Sequence, residues 1–297
     1  MDLNRFSEEA RMLEHSAPSI SPAGANGTSS ALRTEDLAIE FVSGDRRVLA
    51  VDSLNVNIQE GEFVCIVGPS GCGKSTLLNA AAGILLDDQK QGVNVDITGT
   101  LELAAGSNRH DGSIGYVFQS DTVLPWLSVE RNVGLPLKFA GVRDWKPRAQ
   151  SWLARLGLSD FADAYPRTLS GGMRKRVQVA QVFAQNPRLM LMDEPFGSLD
   201  AQTRAVVQEE FVRIWETESK TVLFVTHDLT EAILLADRIL CMCARPGKIV
   251  REFIVDIPRP RTVKGVADHP SFSKLYSELW SVLEEEARMT AAMGNKA

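Results

Sequence analysis

The sequence predicts an α/β fold: a mainly parallel sheet flanked by helices, with an antiparallel β subdomain and an inserted helical subdomain. Three observations carry it. The runs "EFVCIVG", "RLMLMDEP" and "TVLFVT" are short and almost wholly apolar, as strands buried on both faces should be. Helical patterns separate them, the alternation expected when crossover helices join parallel strands. Residues 128–187 lack strand patterning and read as mostly helical.

The chain has 297 residues, long enough to bury a sizeable core. Its net charge of −6 argues against a nucleic-acid binder held by a general basic surface. It contains no apolar run of about 18 residues, so no bilayer-spanning segment is expected. The most apolar stretch, "AILLADRILCMCA", is broken by Asp237 and Arg238. Near the N-terminus Asp2, Arg5, Glu8, Glu9 and Arg11 interrupt any signal-peptide core, so a cytoplasmic location is expected. The four cysteines, Cys65, Cys72, Cys241 and Cys243, form no CxxC, and the histidines are scattered. Neither a zinc site nor a disulfide framework is expected. Cys65 and Cys241 read as core thiols.

Along the chain, residues 16–32, "SAPSISPAGANGTSSAL", are rich in Ser, Ala, Gly and Pro. Residues 1–32 therefore read as a flexible extension, and the folded domain is expected over 33–258. "DLAIEFV" and "VLAVDSLNVNI" alternate apolar and polar residues, as paired strands with one solvated face do. "EFVCIVG" feeds "PSGCGKSTLLNAAAGIL", a Gly-rich loop opening a helix. "GTLEL" and "SIGYVF" read as further strands. In the helical subdomain, about 120–187, Met173, Val177, Ala180 and Ala184 fall on one helical face. After "RLMLMDEP" come an amphipathic helix from about Asp200 to Glu218, "TVLFVT", a helix from Asp228 and the strand "RILCMC". The two prolines of "IPRPR" are expected to end the core. "SFSKLYSELWSVLEEEARM" then reads as a helix within a C-terminal tail, 259–297.

The chemistry is concentrated in a few stretches. "GPSGCGKS" fits G-x-x-x-x-G-K-[ST] and sits where that motif must, after a buried strand and opening a helix. Its glycines let backbone amides wrap a phosphate chain. Lys74 can reach the β and γ phosphates, and the Ser75 hydroxyl can bind Mg²⁺. In "LMLMDEP", Asp193 is expected to hold Mg²⁺ and Glu194 to polarise an attacking water as general base. Gln119, after "YVF", is expected to touch Mg²⁺ or the reacting water. His227, after "FVT", is expected to reach the γ-phosphate. Phe41 is either an aromatic stacked on adenine or a core residue of its strand. The stretch "LSGGMRKRVQVAQ" poses a question of its own. Ser170, Gly171 and Gly172 make a second helix start suited to an anion, far from the first.

Together these residues resemble the ATPase subunit of an ATP-binding cassette (ABC) transporter, from about Arg33 to Arg261. "GPSGCGKST" is similar to the Walker A loop, "VFQ" to the Q-loop and "LSGGMRKR" to the signature. "LMLMDEP" resembles Walker B, "SLD" (198–200) the D-loop and "TH" the switch histidine. The resemblance implies a P-loop NTPase core of the RecA-like type and ATP with Mg²⁺ as cofactors. The nucleotide would lie on Phe41, Gly68, Pro69, Ser70, Gly71, Cys72, Gly73, Lys74, Ser75, Thr76 and Asp200. The metal would lie on Ser75, Gln119 and Asp193. The resemblance also implies a head-to-tail homodimer in which the signature of one chain caps the γ-phosphate on the other. That would answer why one chain carries two such helix starts.

A narrower similarity, in "LPWLSVERNV", "ARPGKI" and "IPRPR", is to importers of nitrate, sulfonates, taurine and similar small molecules. It implies separate membrane permease subunits, a solute-binding protein that acts through them, and a peripheral place on the inner face of the membrane. Trp126 and Leu127 would help form the permease groove; the other reading of Trp126 is local burial. Ser198, Gln181, the longer 86–112 segment and the N-terminal extension depart from the pattern of that branch. A soluble ABC-type ATPase acting on nucleic acid or ribosomes is the competing function. It is disfavoured by the acidic balance and by the lack of coiled-coil arms, zinc modules or a second cassette. A degenerate regulatory cassette is disfavoured by intact Lys74, Asp193, Glu194 and His227. Since every phosphate-contacting motif lies between Phe41 and His227, hydrolysis is expected to survive loss of residues 1–32 and of the C-terminal helix, about 271–289, in a truncated chain that folds.

Overall fold

The computed structural model describes residues 29–90, 94–104, 112–244 and 246–294. Most of the N-terminal extension and parts of the 86–112 segment lie outside these. The chain opens with β1 (Ser30–Ser43), β2 (Arg46–Gln59) and β3 (Phe63–Val67), then α1 (Lys74–Ala82) and α2 (Ile84–Lys90). β4 (Val95–Leu103) and β5 (Ile114–Val117) lead to α3 (Val129–Phe139), α4 (Trp145–Arg155) and α5 (Gly171–Gln185). Then come β6 (Leu189–Asp193), α6 (Ala201–Glu218), β7 (Thr221–Thr226), α7 (Leu229–Leu235) and β8 (Arg238–Met242). β9 (Ile249–Ile254), α8 (Val263–Ala267) and α9 (Pro270–Gly294) complete it.

The expected α/β class is present as two sheets. One is antiparallel, ordered β2-β1-β4, and the other is ordered β5-β6-β7-β3-β8-β9. The second is parallel from β5 to β8, and only β9 runs antiparallel, on β8. The continuous apolar run of β3 follows from its central place. Phe63, Cys65 and Val67 join the core shared with the helical block, α6 and α7. Val64 and Ile66 join a second core with Ile39, Val51 and Leu77, between this sheet and the antiparallel one. Both faces of β3 are covered, so polar residues have no place on it. Cys65 and Cys241 are fully buried, as read.

The helical block comprises α3, α4, two 3-10 turns at Ser159–Phe161 and Pro166–Thr168, and α5. Val177, Ala180 and Ala184 are fully buried on the face that their periodicity picked out. Gly134 lets α3 and α4 touch: a Cβ there would lie 1.9 Å from the Trp145 ring.

Three features differ from the sequence reading. β1 already holds Ser30–Leu32, the end of the expected extension, with Ala31 and Leu32 buried. β9 was not anticipated, because an edge strand with "VRE" exposed carries no apolar alternation. The core does not end at "IPRPR". Val266, Leu275 and Leu279 belong to the main apolar cluster. Arg261, 5% exposed, donates to the carbonyls of Ala236 at 2.6 Å and Ile257 at 2.9 Å, fastening the tail to the end of α7.

Candidate functional site

The Gly-rich loop joins β3 to α1, and its shape requires glycine twice over. At Gly68 a Cβ would lie 2.4 Å from the Met242 carbonyl; at Gly73, φ is +94° and a Cβ would lie 2.7 Å from the Ala50 carbonyl. The second close approach places the loop directly against β2. No side chain caps α1 at Gly73, so its first amides point at an open site suited to an anion. Lys74, 6% exposed, folds back over the loop, its Nζ donating to the carbonyls of Gly68 at 2.8 Å and Pro69 at 2.9 Å. Ser75 and Ser70 are exposed at the same place, and Cys72 is buried beneath it. Pro69 and Thr76 are half-buried.

Asp193 ends β6 beside the Ser75 side chain; burial pushes its carboxyl above the ordinary range, the Glu194 charge adds to this, and Ser75 and Lys74 oppose it. Glu194 follows with φ +40°, a left-handed conformation that costs a non-glycine residue about 1–3 kcal/mol. Its amide donates to the Val225 carbonyl at 2.9 Å, which turns the side chain out over the sheet's edge. There Glu194 Oε2 accepts from Gln119 Nε2 at 3.2 Å and faces His227 Nδ1 at 3.0 Å. The parallel order β5-β6-β7 brings these three together, because each stands just past the C-terminal end of its strand. A carboxylate held by an amide and an imidazole, beside a second carboxylate on a serine hydroxyl, can orient a water and take its proton.

Other expected residues lie apart from this convergence. Ser170 caps α5, its Oγ accepting from the Met173 amide at 3.3 Å. The neighbours of Gly171 and Gly172 include Leu199 and Thr203. Asp200 caps α6, accepting from the Thr203 amide at 3.0 Å, and that bond holds its carboxyl below the usual range. Phe41 sits half-buried in β1 opposite Val48 and Val95. Trp126 is 69% exposed, which rules out local burial. Leu127 is half-buried.

Sequence reading missed the polar residues that support the site. Asn132 is fully buried on α3 and bonds both the amide and the carbonyl of Leu124, ordering the loop that presents Trp126. On α5, Arg174, Lys175 and Gln178 bond to residues 118–122. Gln181, one of the departures, donates to the Asn132 carbonyl at 3.0 Å. The available signal was a row of polar residues interleaved on the apolar face of α5.

Glu231 was also missed. It is 5% exposed in the first turn of α7 and accepts from Gln208 Nε2 at 2.8 Å. Burial pushes its carboxyl up to about 7, against bonds from Thr226 and Gln208. An ordinary Glu in the unfolded chain ionises near pH 4.3. Between these values the folded state keeps a proton that the unfolded state has lost. The stabilisation is complete at low pH and disappears as pH rises through about 7. Glu231→Gln, always neutral, is therefore expected to melt higher than wild type near pH 8, by up to about 3 kcal/mol. The gain should shrink near pH 5. A gain equal at both pH values would contradict the buried proton.

Comparison with known proteins agrees with this geometry. Residues 51–197 match the family model described as ABC transporter. The taurine import ATP-binding protein of Rhizobium johnstonii is 43% identical over 254 residues, covering 83% of this chain and 94% of that protein. The nitrate import ATP-binding protein of Synechocystis sp. is 39% identical over 274 residues, covering 89% and 99%. Among solved structures, an ATP-binding cassette in a dimeric post-hydrolysis state with ADP and Pi superposes with a TM-score of 0.63. It is 30% identical and covers 76% of this chain and 100% of that one. A glycine loop opening a helix with uncapped amides, a carboxylate held by an amide and an imidazole at the strand ends, and relatives of nearly full length agree: the chain belongs to the ABC transporter family, as one of its ATP-binding, ATP-hydrolysing subunits.

Proposed function

We propose that this ATPase energises an importer of a small solute, working as a homodimer that closes head to tail over ATP. The convergence of Gln119 and His227 on Glu194 is the observation that carries the reading. Glu194 acts as general base on the attacking water, Gln119 orients that water, and His227 bonds the γ-phosphate and steadies Glu194. Lys74 leaves its loop carbonyls for the β and γ phosphates, and the free amides of α1 cradle them. Phe41 stacks on adenine. Mg²⁺ fits the donors present, since the half-buried Asp193 carboxylate lies beside the Ser75 hydroxyl, two hard oxygen donors. Gln119 would be the third residue to hold it. When bound, Mg²⁺ would supply charge neutralisation for the phosphate chain.

Among the described residues no helix is long and apolar enough to cross a membrane, so transport requires other chains. The permease docks at the groove between α3 and α5, about 200 Å³, lined by Tyr116, Thr122, Leu135, Phe139 and Gln178. Phe139, 85% exposed, offers an apolar contact there, and Trp126, 69% exposed on the loop before α3, offers a second one outside the groove. The protein thus works at the cytoplasmic face of the membrane, with a solute-binding protein on the far side. The taurine and nitrate relatives favour a small anion as cargo.

In the dimer, Ser170, Gly171 and Gly172 serve the partner's γ-phosphate, so hydrolysis removes a bridging group and lets the halves part. Mixing two inactive chains tests this. Lys74→Ala breaks the phosphate loop and Ser170→Arg places bulk at the signature. In a mixed head-to-tail dimer both defects fall in one site and the other site is intact. ATP-dependent dimerisation should return on mixing. With a positive control of wild type plus each mutant, no rescue would mean that the signature does not act across the interface.

A further inference from the structure

We infer that Lys175 is a positioning residue for the ATPase reaction, holding Gln119 in register with Glu194. Its side chain is 4% exposed, and its Nζ donates to the carbonyls of Phe118 at 3.2 Å and Gln119 at 2.9 Å. Burying an ammonium is costly unless acceptors are aimed at it. Burial indeed pulls Lys175 below the ordinary lysine value, and the Asp121 charge only partly opposes this.

The neighbouring residues of α5 divide the work. Arg174 Nε bonds Asp121 at 2.6 Å, and Gln178 Nε2 bonds the Ser120 carbonyl and the Thr122 hydroxyl, each at 3.0 Å. Lys175 grips Gln119 itself. With that carbonyl fixed, the exposed Gln119 side chain is left to span 3.2 Å to Glu194 Oε2. Gln119 follows the end of β5 by two residues, so little else in its own element restrains it. The same helix begins at the signature residues Gly171 and Gly172. A shift of α5 as the signature meets phosphate therefore carries the Gln119 backbone with it. This rests on the role given to Gln119 above.

The test is a double-mutant cycle on MgATP hydrolysis by the full chain: wild type, Lys175→Met, Gln119→Ala and the pair. Misplacing a catalytic group by about 1 Å costs roughly 10²-fold, so Lys175→Met should lower kcat by about 10–100-fold with KM for ATP nearly unchanged. The pair should be no slower than Gln119→Ala alone, because Lys175 acts only through Gln119. Lys175→Gln keeps a donor and should run faster than Lys175→Met. If Lys175→Met does not fold, as judged by melting, Lys175→Gln takes its place in the cycle. Losses that multiply, a wild-type kcat, or a change confined to KM would overturn the inference while leaving Gln119 in its role. Gln119→Ala at the wild-type rate would instead remove the role of Gln119, and the inference with it.

Discussion

Glu194→Gln is expected to bind ATP normally and to lose about 10²–10⁴-fold in hydrolysis, the usual loss when a general base is removed. The substitution keeps shape and hydrogen-bonding capacity, so Gln119 and His227 retain a partner where Oε2 now stands 3.2 and 3.0 Å from them. What disappears is the negative charge that, in the proposed mechanism, accepts the water's proton. Asp193, one residue earlier and beside Ser75, is untouched. Nucleotide affinity should therefore hold, and the protein should accumulate as an ATP-bound dimer on size-exclusion columns. Turnover near the wild-type rate would place the base elsewhere.

Cutting the chain after Thr262 is expected to abolish folding, the condition on which hydrolysis by a truncated chain depends. Such a cut removes Val266, Leu275 and Leu279 from the main core, with exposures of 1%, 9% and 0%. Each buried aliphatic side chain contributes about 1.5–3 kcal/mol, so the three together approach the whole stability of an ordinary domain. Leu279→Ala is the milder form and should cost about 2–5 kcal/mol. Denaturant melts of this variant, and soluble yield of the truncation, measure both. A soluble, cooperatively melting truncation would show that α9 only covers the core. The N-terminal edge follows the same logic, since a cut at residue 32 would take Ala31 and Leu32 from β1.

Much of the site was legible because its parts are contiguous in the chain. The Gly-rich loop reads as a loop because β3 must be apolar on both faces and because Gly68 and Gly73 admit no side chain. Asp193, Gln119 and His227 could be picked out as polar residues placed directly after apolar strands. Trp126 could not be decided that way; an exposed and a buried tryptophan look alike in sequence. Lys175 and Glu231 were passed over because charged residues on helices are normally solvated, and only packing shows that these two are not.

The sequence by itself determined most of the segments that become strands and helices, β9 apart, and which residue types end them. Those are local matters of periodicity, caps and backbone freedom. Only the tertiary structure decided that β5, β6 and β7 lie side by side, so that Gln119, Glu194 and His227, dozens of residues apart, meet within hydrogen-bond reach. It alone recruited β9 and α9 to the sheet and the core, since an edge strand and an amphipathic tail carry no mark of what they will cover. The physical reason is the same in each case: strand order and helix docking are settled by burial between distant segments, a quantity that no local pattern contains.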